Sequence, residues 1–249
     1  MVHAARERLV RLLTRSRGVH RTVNGVPLRV ASPVRGLFTS DYDRPLADFL
    51  RSRIEPGSEV WNVGANVGIW VLQIATWVGP SGRVVAFEPN AATAEVLREN
   101  IRLNGLQTRV EIVESAVGEQ VGHVDFFAAG TDGMSRAGQP NPLLPDATAR
   151  RVPVTTLDAF AAGRPRLPSW ILMDVEGWEI SALRGARSVL QQSRVAVELH
   201  PSAWPWSGHS RADLEQLLDT YALDVVPLTD QKDVLGDYGH VHLRPKERA

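Results

Sequence analysis

Cysteine is absent from all 249 residues, which removes disulfides, zinc–thiolate centres and thiol nucleophiles together. An excess of one charge is absent too: 28 Lys and Arg balance 28 Asp and Glu, so no global field favours nucleic acid. No run of 18 apolar residues exists, so no segment reads as a membrane-spanning helix. Lysine is scarce, limited to Lys232 and Lys246, and none of Tyr42, Tyr221 and Tyr238 has a lysine four residues on. A nicotinamide reductase built on a Tyr-x-x-x-Lys dyad therefore finds no footing. What is present, at 43% hydrophobic, suffices to bury the core of one large α/β domain.

Residues 1–21, "MVHAARERLVRLLTRSRGVHR", carry six arginines against Glu7 alone, with Leu9, Leu12 and Leu13 at helical spacing. This predicts a short amphipathic helix that packs on its own domain or docks on a membrane surface or partner. It lacks the apolar core and small-residue cleavage site of a secretory signal. "TVNGVPLRVAS" reads as a hairpin turning at Asn24-Gly25. Residues 44–54 read as a helix ended by Pro56-Gly57. Residues 1–55 are thus a helical and hairpin extension, and 56–249 the main domain.

From residue 59 strands and helices alternate: strand "EVWNVG", helix 66–78, strand "RVVAFEP", helix 91–103, strand "RVEIVESAV", then "HVDFF". After a loop come "RVPVTT", strand "WILMDVEG", helix 179–190, strand "RVAVELHP", helix 211–222, "DVVPLT" and "HVHLRP". Such alternation predicts a parallel sheet covered on both faces. The last two strands are joined by a segment too short and glycine-rich for a crossover, so they form an antiparallel hairpin at the sheet edge. The fold class is α/β and Rossmann-like, seven mostly parallel strands with one reversed.

The turn "VGANVGIW" asks what its glycines approach. A dinucleotide fingerprint from Gly64 needs glycine at 66 and 69, where the chain has Asn66 and Ile69. A P-loop from Gly64 needs glycine at 69 followed by lysine, and has neither. Glu88, twenty residues past Gly68 at the end of the next strand, is placed to accept both ribose hydroxyls of an adenosine. Together these favour an adenosine without phosphate. At the third strand's end, Ser115 or Glu114 is placed to meet the adenine amine, or is a solvated strand end.

These motifs resemble the FkbM-type methyltransferases: "GANVG", "FEPN", "LDAF" and "MDVEG" fall in consistent order across roughly residues 37–200. The resemblance implies an S-adenosylmethionine-dependent O-methyltransferase acting on a sugar or natural-product hydroxyl. It implies that Gly64 and Gly68 line the cofactor, that Glu88 takes the ribose and that Asp174 stands at the methyl-transfer end. The predicted cofactor site comprises Asn62, Gly64, Ala65, Asn66, Gly68, Glu88, Pro89, Asn90, Ser115, Ala116 and Asp174. Asn62 departs from the family's usual Asp, keeping hydrogen bonds but losing a charge that would favour the cofactor's ammonium.

The strand ends "MDVEG" and "VELH" are expected side by side, gathering Asp174, Glu176, Glu198 and His200. Two mechanisms fit. In the preferred one His200 is the general base, assisted by Asp174 and Glu198. In the other, Asp174, Glu198 and His200 ligate Mg²⁺ or Mn²⁺. The substrate side is assigned to Glu176, to Trp204 and Trp206, and to Met134 and Ser135 of a long loop at 130–150 read as a mobile lid. The two tryptophans equally suit the core or a dimer interface. A methyltransferase acting on nitrogen or a macromolecule is the second reading, a nicotinamide oxidoreductase the third and a non-enzymatic adenosine-binding module the fourth. The partner expected is a small-molecule acceptor, with no nucleic acid, no membrane span, a cytoplasmic setting and homo-oligomers allowed.

Overall fold

The alternation of strands and helices is present, with three local changes. The computed structural model describes residues 17–128, 135–139 and 148–246. A hairpin of β1 (Val19–Val23) and β2 (Val26–Val30) precedes α1 (Arg44–Arg51), β3 (Glu59–Val63), α2 (Ile69–Trp77), β4 (Arg83–Phe87), α3 (Ala91–Leu103) and β5 (Val110–Val113). Next come β6 (Ala116–Val117), β7 (Gly122–Ala128), β8 (Arg136–Ala137), β9 (Thr148–Thr155) and α4 (Leu157–Ala161). The rest is β10 (Trp170–Met173), α5 (Glu179–Arg184), α6 (Arg187–Leu190), β11 (Arg194–Leu199), α7 (Arg211–Thr220), β12 (Leu223–Pro227) and β13 (Gly239–Pro245).

The central sheet has seven strands in the order β12-β13-β11-β10-β3-β4-β5. Neighbours from β11 to β5 are parallel, and β13 runs antiparallel to both β11 and β12. The reversed strand is therefore the last in sequence, inserted next to the edge. Every residue of β3 is buried, as a central parallel strand covered on both faces requires.

Side-chain alternation divides the core. Val60, Val84, Ala86 and Leu172 pack with α1, α2, α3 and the β1–β2 hairpin. Trp61, Val63, Val85, Phe87, Ile171 and Val197 face α5, α6 and α7 on the other side. Val23, Leu28 and Val30 of the hairpin and Leu46 and Leu50 of α1 thus belong to the same cluster as α2. Burying each such aliphatic side chain contributes about 1.5–3 kcal/mol.

Three local readings change. The stretch 109–117 is two strands: β5 ends the main sheet, while β6 joins a four-stranded sheet ordered β6-β9-β7-β8. The helix after the glycine turn starts at Ile69 rather than Asn66, because Asn66 (φ 46°) and Gly68 (φ 95°) are left-handed and cannot be helical. The segment 179–190 breaks at Gly185, where an added Cβ would lie 2.0 Å from the Gly118 carbonyl oxygen. The N-terminal helix predicted within residues 1–21 and most of the 130–150 loop, Met134 included, lie outside the described residues. No helix among the described residues is long and apolar enough to cross a membrane.

Candidate active site

The carboxyl ends of β3, β4 and β10 meet at one edge of the sheet, where ligands of open α/β sheets bind. A cleft opens there. Its floor is Val63, Gly64 and Asn66, its walls are Glu88, Pro89, Ser115, Ala116 and Phe126, and its far end is Asp174, Glu176 and Trp178. A second cleft, of about 870 Å³, adjoins it and shares Gly64, Asn66, Asp174 and Glu176. The second cleft is closed by Leu37, Tyr42 and Asp43 from the extension and by Glu198 and Tyr238.

Glu88 is buried, and each of its carboxylate oxygens accepts one backbone N–H, from Asn66 and from Asn90, both at 2.8 Å. Burial pushes its pKa up to about 7, against the pull of those two hydrogen bonds. Each oxygen keeps a lone pair for a further donor. Ser115 is buried beside it, its hydroxyl between the carbonyls of Ala116 (2.9 Å) and Pro153 (3.0 Å). Glu114 is instead exposed and paired with Arg98, outside the cleft wall.

The glycines answer a different need from the one the sequence suggested. A Cβ on Gly64 (φ 84°) would stand 1.7 Å from the Asp174 carbonyl oxygen, and one on Gly68 2.5 Å from Leu97 Cδ1. Both are demanded by neighbouring chain. Gly64 also lines the clefts, whereas Gly68, Asn62 and Asn90 line neither. Asn90 caps α3 and positions Glu88. Asn62 is 1% exposed, its Nδ2 donates to the Leu172 carbonyl at 3.4 Å, and its Oδ1 has no partner.

The expected gathering of Asp174, Glu198 and His200 is present: one ligand atom from each lies within 4.8 Å of the others. Asp174 Oδ1 is buried and without a partner. Burial and the neighbouring Glu198 carboxylate push the Asp174 pKa well above its ordinary value. Glu198 is also buried, yet hydrogen bonds from His240 and Tyr238 outweigh burial and hold it at about 2. His200 Nδ1 lies 2.8 Å from Glu179 Oε1, and Nε2 lies 3.6 Å from Glu176 Oε2. Burial would lower the imidazole's pKa, but Glu179, then Asp174 and Glu176, raise it to about 10.

Trp204 leaves the substrate side. It is 1% exposed, and its Nε1–H donates to Glu179 Oε2 at 2.8 Å, so it touches the core and not an acceptor. Trp206 is half-buried and lines neither cleft. Ser135 lines the first cleft rather than the second. Sequence reasoning missed Tyr42, Asp43, Trp178, Glu179, Tyr238 and His240. Only Glu179 had a local signal, as an acid opening a helix beside "MDVEG".

A sheet with one reversed strand inside its edge, an acid ending the second strand and a glycine turn without dinucleotide or P-loop spacing describe a Rossmann-like α/β fold. The chain belongs to the FkbM methyltransferase family: the methyltransferase FkbM domain matches residues 62–223. Similar solved structures include the FkbM methyltransferase from Methylobacillus flagellatus KT, 16% identical with a TM-score of 0.50, covering 79% of this chain and 50% of that one. The present chain thus spans half the length of that protein. The cofactor-bound Rv0187 from MTB is 17% identical with a TM-score of 0.52, covering 84% of this chain and 82% of its own. The ribosomal protein L11 methylase from Lactobacillus delbrueckii subsp. bulgaricus is 12% identical with a TM-score of 0.50, covering 84% and 80%. At these identities the likeness is one of fold. No curated protein matches the chain.

Proposed function

We propose that this chain is an S-adenosylmethionine-dependent O-methyltransferase acting on a hydroxyl of a small molecule, with donor in the first cleft and acceptor in the second. The observation that carries this reading is the pair of adjoining clefts sharing Gly64, Asn66, Asp174 and Glu176. A methyl group passing between two molecules needs such a shared boundary.

The residues of the first cleft fit a nucleoside. Glu88 offers two spare lone pairs for vicinal ribose hydroxyls, and two ribose donors there would favour its charged form. Val117, Phe126 and Ala137 supply apolar wall for a base, and Ser115 supplies a hydroxyl at its edge. A chain in this fold needs no phosphate contact, and Gly64-Ala65-Asn66 provides no P-loop or pyrophosphate spacing. The acid-rich boundary of Asp174 and Glu176 suits the donor's positive sulfonium and ammonium.

In the transfer, the S–CH₃ bond breaks as the O–CH₃ bond forms, S-adenosylhomocysteine leaves, and the hydroxyl proton goes to a group beside the acceptor. His200 Nδ1 is engaged by Glu179 and its Nε2 lies beside Glu176, whereas Asp174 Oδ1 has no partner. Asp174 is therefore the proton acceptor of this reading in the metal-free protein. Glu198 and His200 then act by charge and position. An acceptor belonging to a macromolecule is the second reading.

Calorimetry with S-adenosylmethionine and with NAD, on the wild type and on Glu88→Ala, tests the reading. Tight binding of the first alone, weakened in the variant, supports it. NAD binding in preference, or donor binding indifferent to Glu88, overturns it.

A further inference from the structure

The cluster behind the shared boundary has more order than a general base requires. Three acceptor atoms from the ends of two neighbouring strands, β10 and β11, converge within 4.8 Å of one another. Octahedral coordination at about 2.1 Å sets ligand atoms roughly 3 to 4 Å apart, so the three need draw in only slightly. Asp174 contributes one carboxylate oxygen to this gathering, and its Oδ1 is buried with no hydrogen-bond partner, which is costly unless something else fills the place.

The second observation concerns His200. Its Nδ1 is bound to Glu179, which is fully buried and itself fixed by the indole N–H of Trp204 (2.8 Å) and the backbone N–H of Gly177 (2.7 Å). A carboxylate holding the far nitrogen of an imidazole is the arrangement that orients metal-ligating histidines. It turns Nε2 toward the carboxylates, where Glu176 Oε2 lies 3.6 Å away. Glu198 is fixed in the same fashion by Tyr238 and His240 and keeps lone pairs on both oxygens.

We propose that Asp174, Glu198 and His200 bind one divalent cation of the Mn²⁺ type, with Glu179 as the residue that orients His200. An imidazole with two carboxylates suits a first-row ion better than Mg²⁺ or Ca²⁺, which take all-oxygen sets. Ligation uses the Nε2 lone pair, which Glu179 at Nδ1 leaves available. Its use depends on the reading above: an acceptor hydroxyl bound to the ion would ionise nearer neutral pH. Occupancy itself does not depend on that reading.

The test is Mn²⁺ alone, titrated into the chelator-treated full-length protein without donor or acceptor, followed by loss of the free-Mn²⁺ electron paramagnetic resonance signal and by calorimetry in two buffers. One ion per chain is expected. Asp174→Asn and Glu198→Gln should abolish binding, and Glu179→Gln should weaken it roughly 10- to 100-fold. Circular dichroism confirms folding; Asp174→Asn removes no hydrogen bond at Oδ1 and keeps the test valid if Glu179→Gln fails to fold. Wild-type protein that takes up no Mn²⁺, or an Asp174→Asn/Glu198→Gln double variant that takes it up equally, overturns the proposal. Donor binding measured on the same samples separates this failure from a failure of the methyltransferase reading.

Discussion

His200 Nδ1 stands 2.8 Å from Oε1 of the fully buried Glu179, a contact that favours the charged imidazolium. In the metal-free protein the imidazole should titrate near its raised pKa of about 10 rather than near neutrality. A histidine raised in the folded state contributes stability that is fully present below the unfolded value of about 6.5. That stability is lost as pH rises through about 10. Glu179→Gln should bring the titration down and flatten the loss of stability between those limits. Histidine NMR titration and urea unfolding at several pH values check both. An ordinary wild-type titration near 6.5 would contradict the account.

Glu88 gives a second pH dependence, of opposite kind. Its pKa of about 7 in the free protein means that the carboxylate is half protonated at neutrality. A protonated oxygen is a poorer acceptor for a ribose hydroxyl, so donor affinity should fall as pH drops below about 7 and level off above it. Glu88→Ala should cost about 1.5–3 kcal/mol of donor binding, or roughly 10- to 150-fold in Kd. Calorimetry at pH 6 and pH 8 reads both effects, and a flat profile would remove Glu88 from the ribose.

What the sequence made legible was whatever a short window determines. The alternation of elements, the reversed final strand and Glu88 at a strand end all follow from local pattern, and each lies where expected. The purpose of Gly64 was hidden because its partner, the Asp174 carbonyl, is 110 positions away in the chain. The "WPW" after a strand left Trp204 open between acceptor site and core, because the partner of its N–H, Glu179, lies in no local window. The second cleft was invisible for the same reason: Tyr42, Asp43 and Tyr238 come from opposite ends of the chain.

The two turn glycines should differ sharply when replaced. Gly64→Ala sets a Cβ against backbone, 1.7 Å from the Asp174 oxygen, in a left-handed conformation. Neither β3 nor β10 can retreat without breaking the sheet, so loss of soluble folded protein or more than about 3 kcal/mol is expected. Gly68→Ala meets only the end of Leu97, which can rotate, and should cost about 1–2 kcal/mol. Equal losses in chemical denaturation would contradict this difference between the two glycines.

Trp204→Phe keeps most of the buried ring and deletes the donor to Glu179 Oε2. Leaving a buried carboxylate oxygen unpaired should cost about 1–3 kcal/mol in stability. Because Trp204 lines neither cleft, the KM for an acceptor should stay within about twofold, a shift of under 0.5 kcal/mol. A large KM change in a stably folded variant would return Trp204 to the acceptor site.

Asn62 is the position where the chain departs from the usual Asp of the family it resembles. Its side chain is buried at 1% exposure, makes one long hydrogen bond to Leu172 and lines neither cleft. An amide tolerates such a place better than a carboxylate, whose charge would be stripped of water with no cation to meet it. Asn62→Asp should therefore lower stability at neutral pH by about 1–3 kcal/mol. The introduced carboxyl would have a raised pKa in the folded state, so stability should recover as pH falls toward 4. Donor affinity should change little, because the side chain does not face the donor cleft. Unfolding measured at pH 5 and pH 8, beside donor calorimetry, decides the matter: a variant that binds donor much more tightly without losing stability would mean that position 62 reaches the ammonium after all.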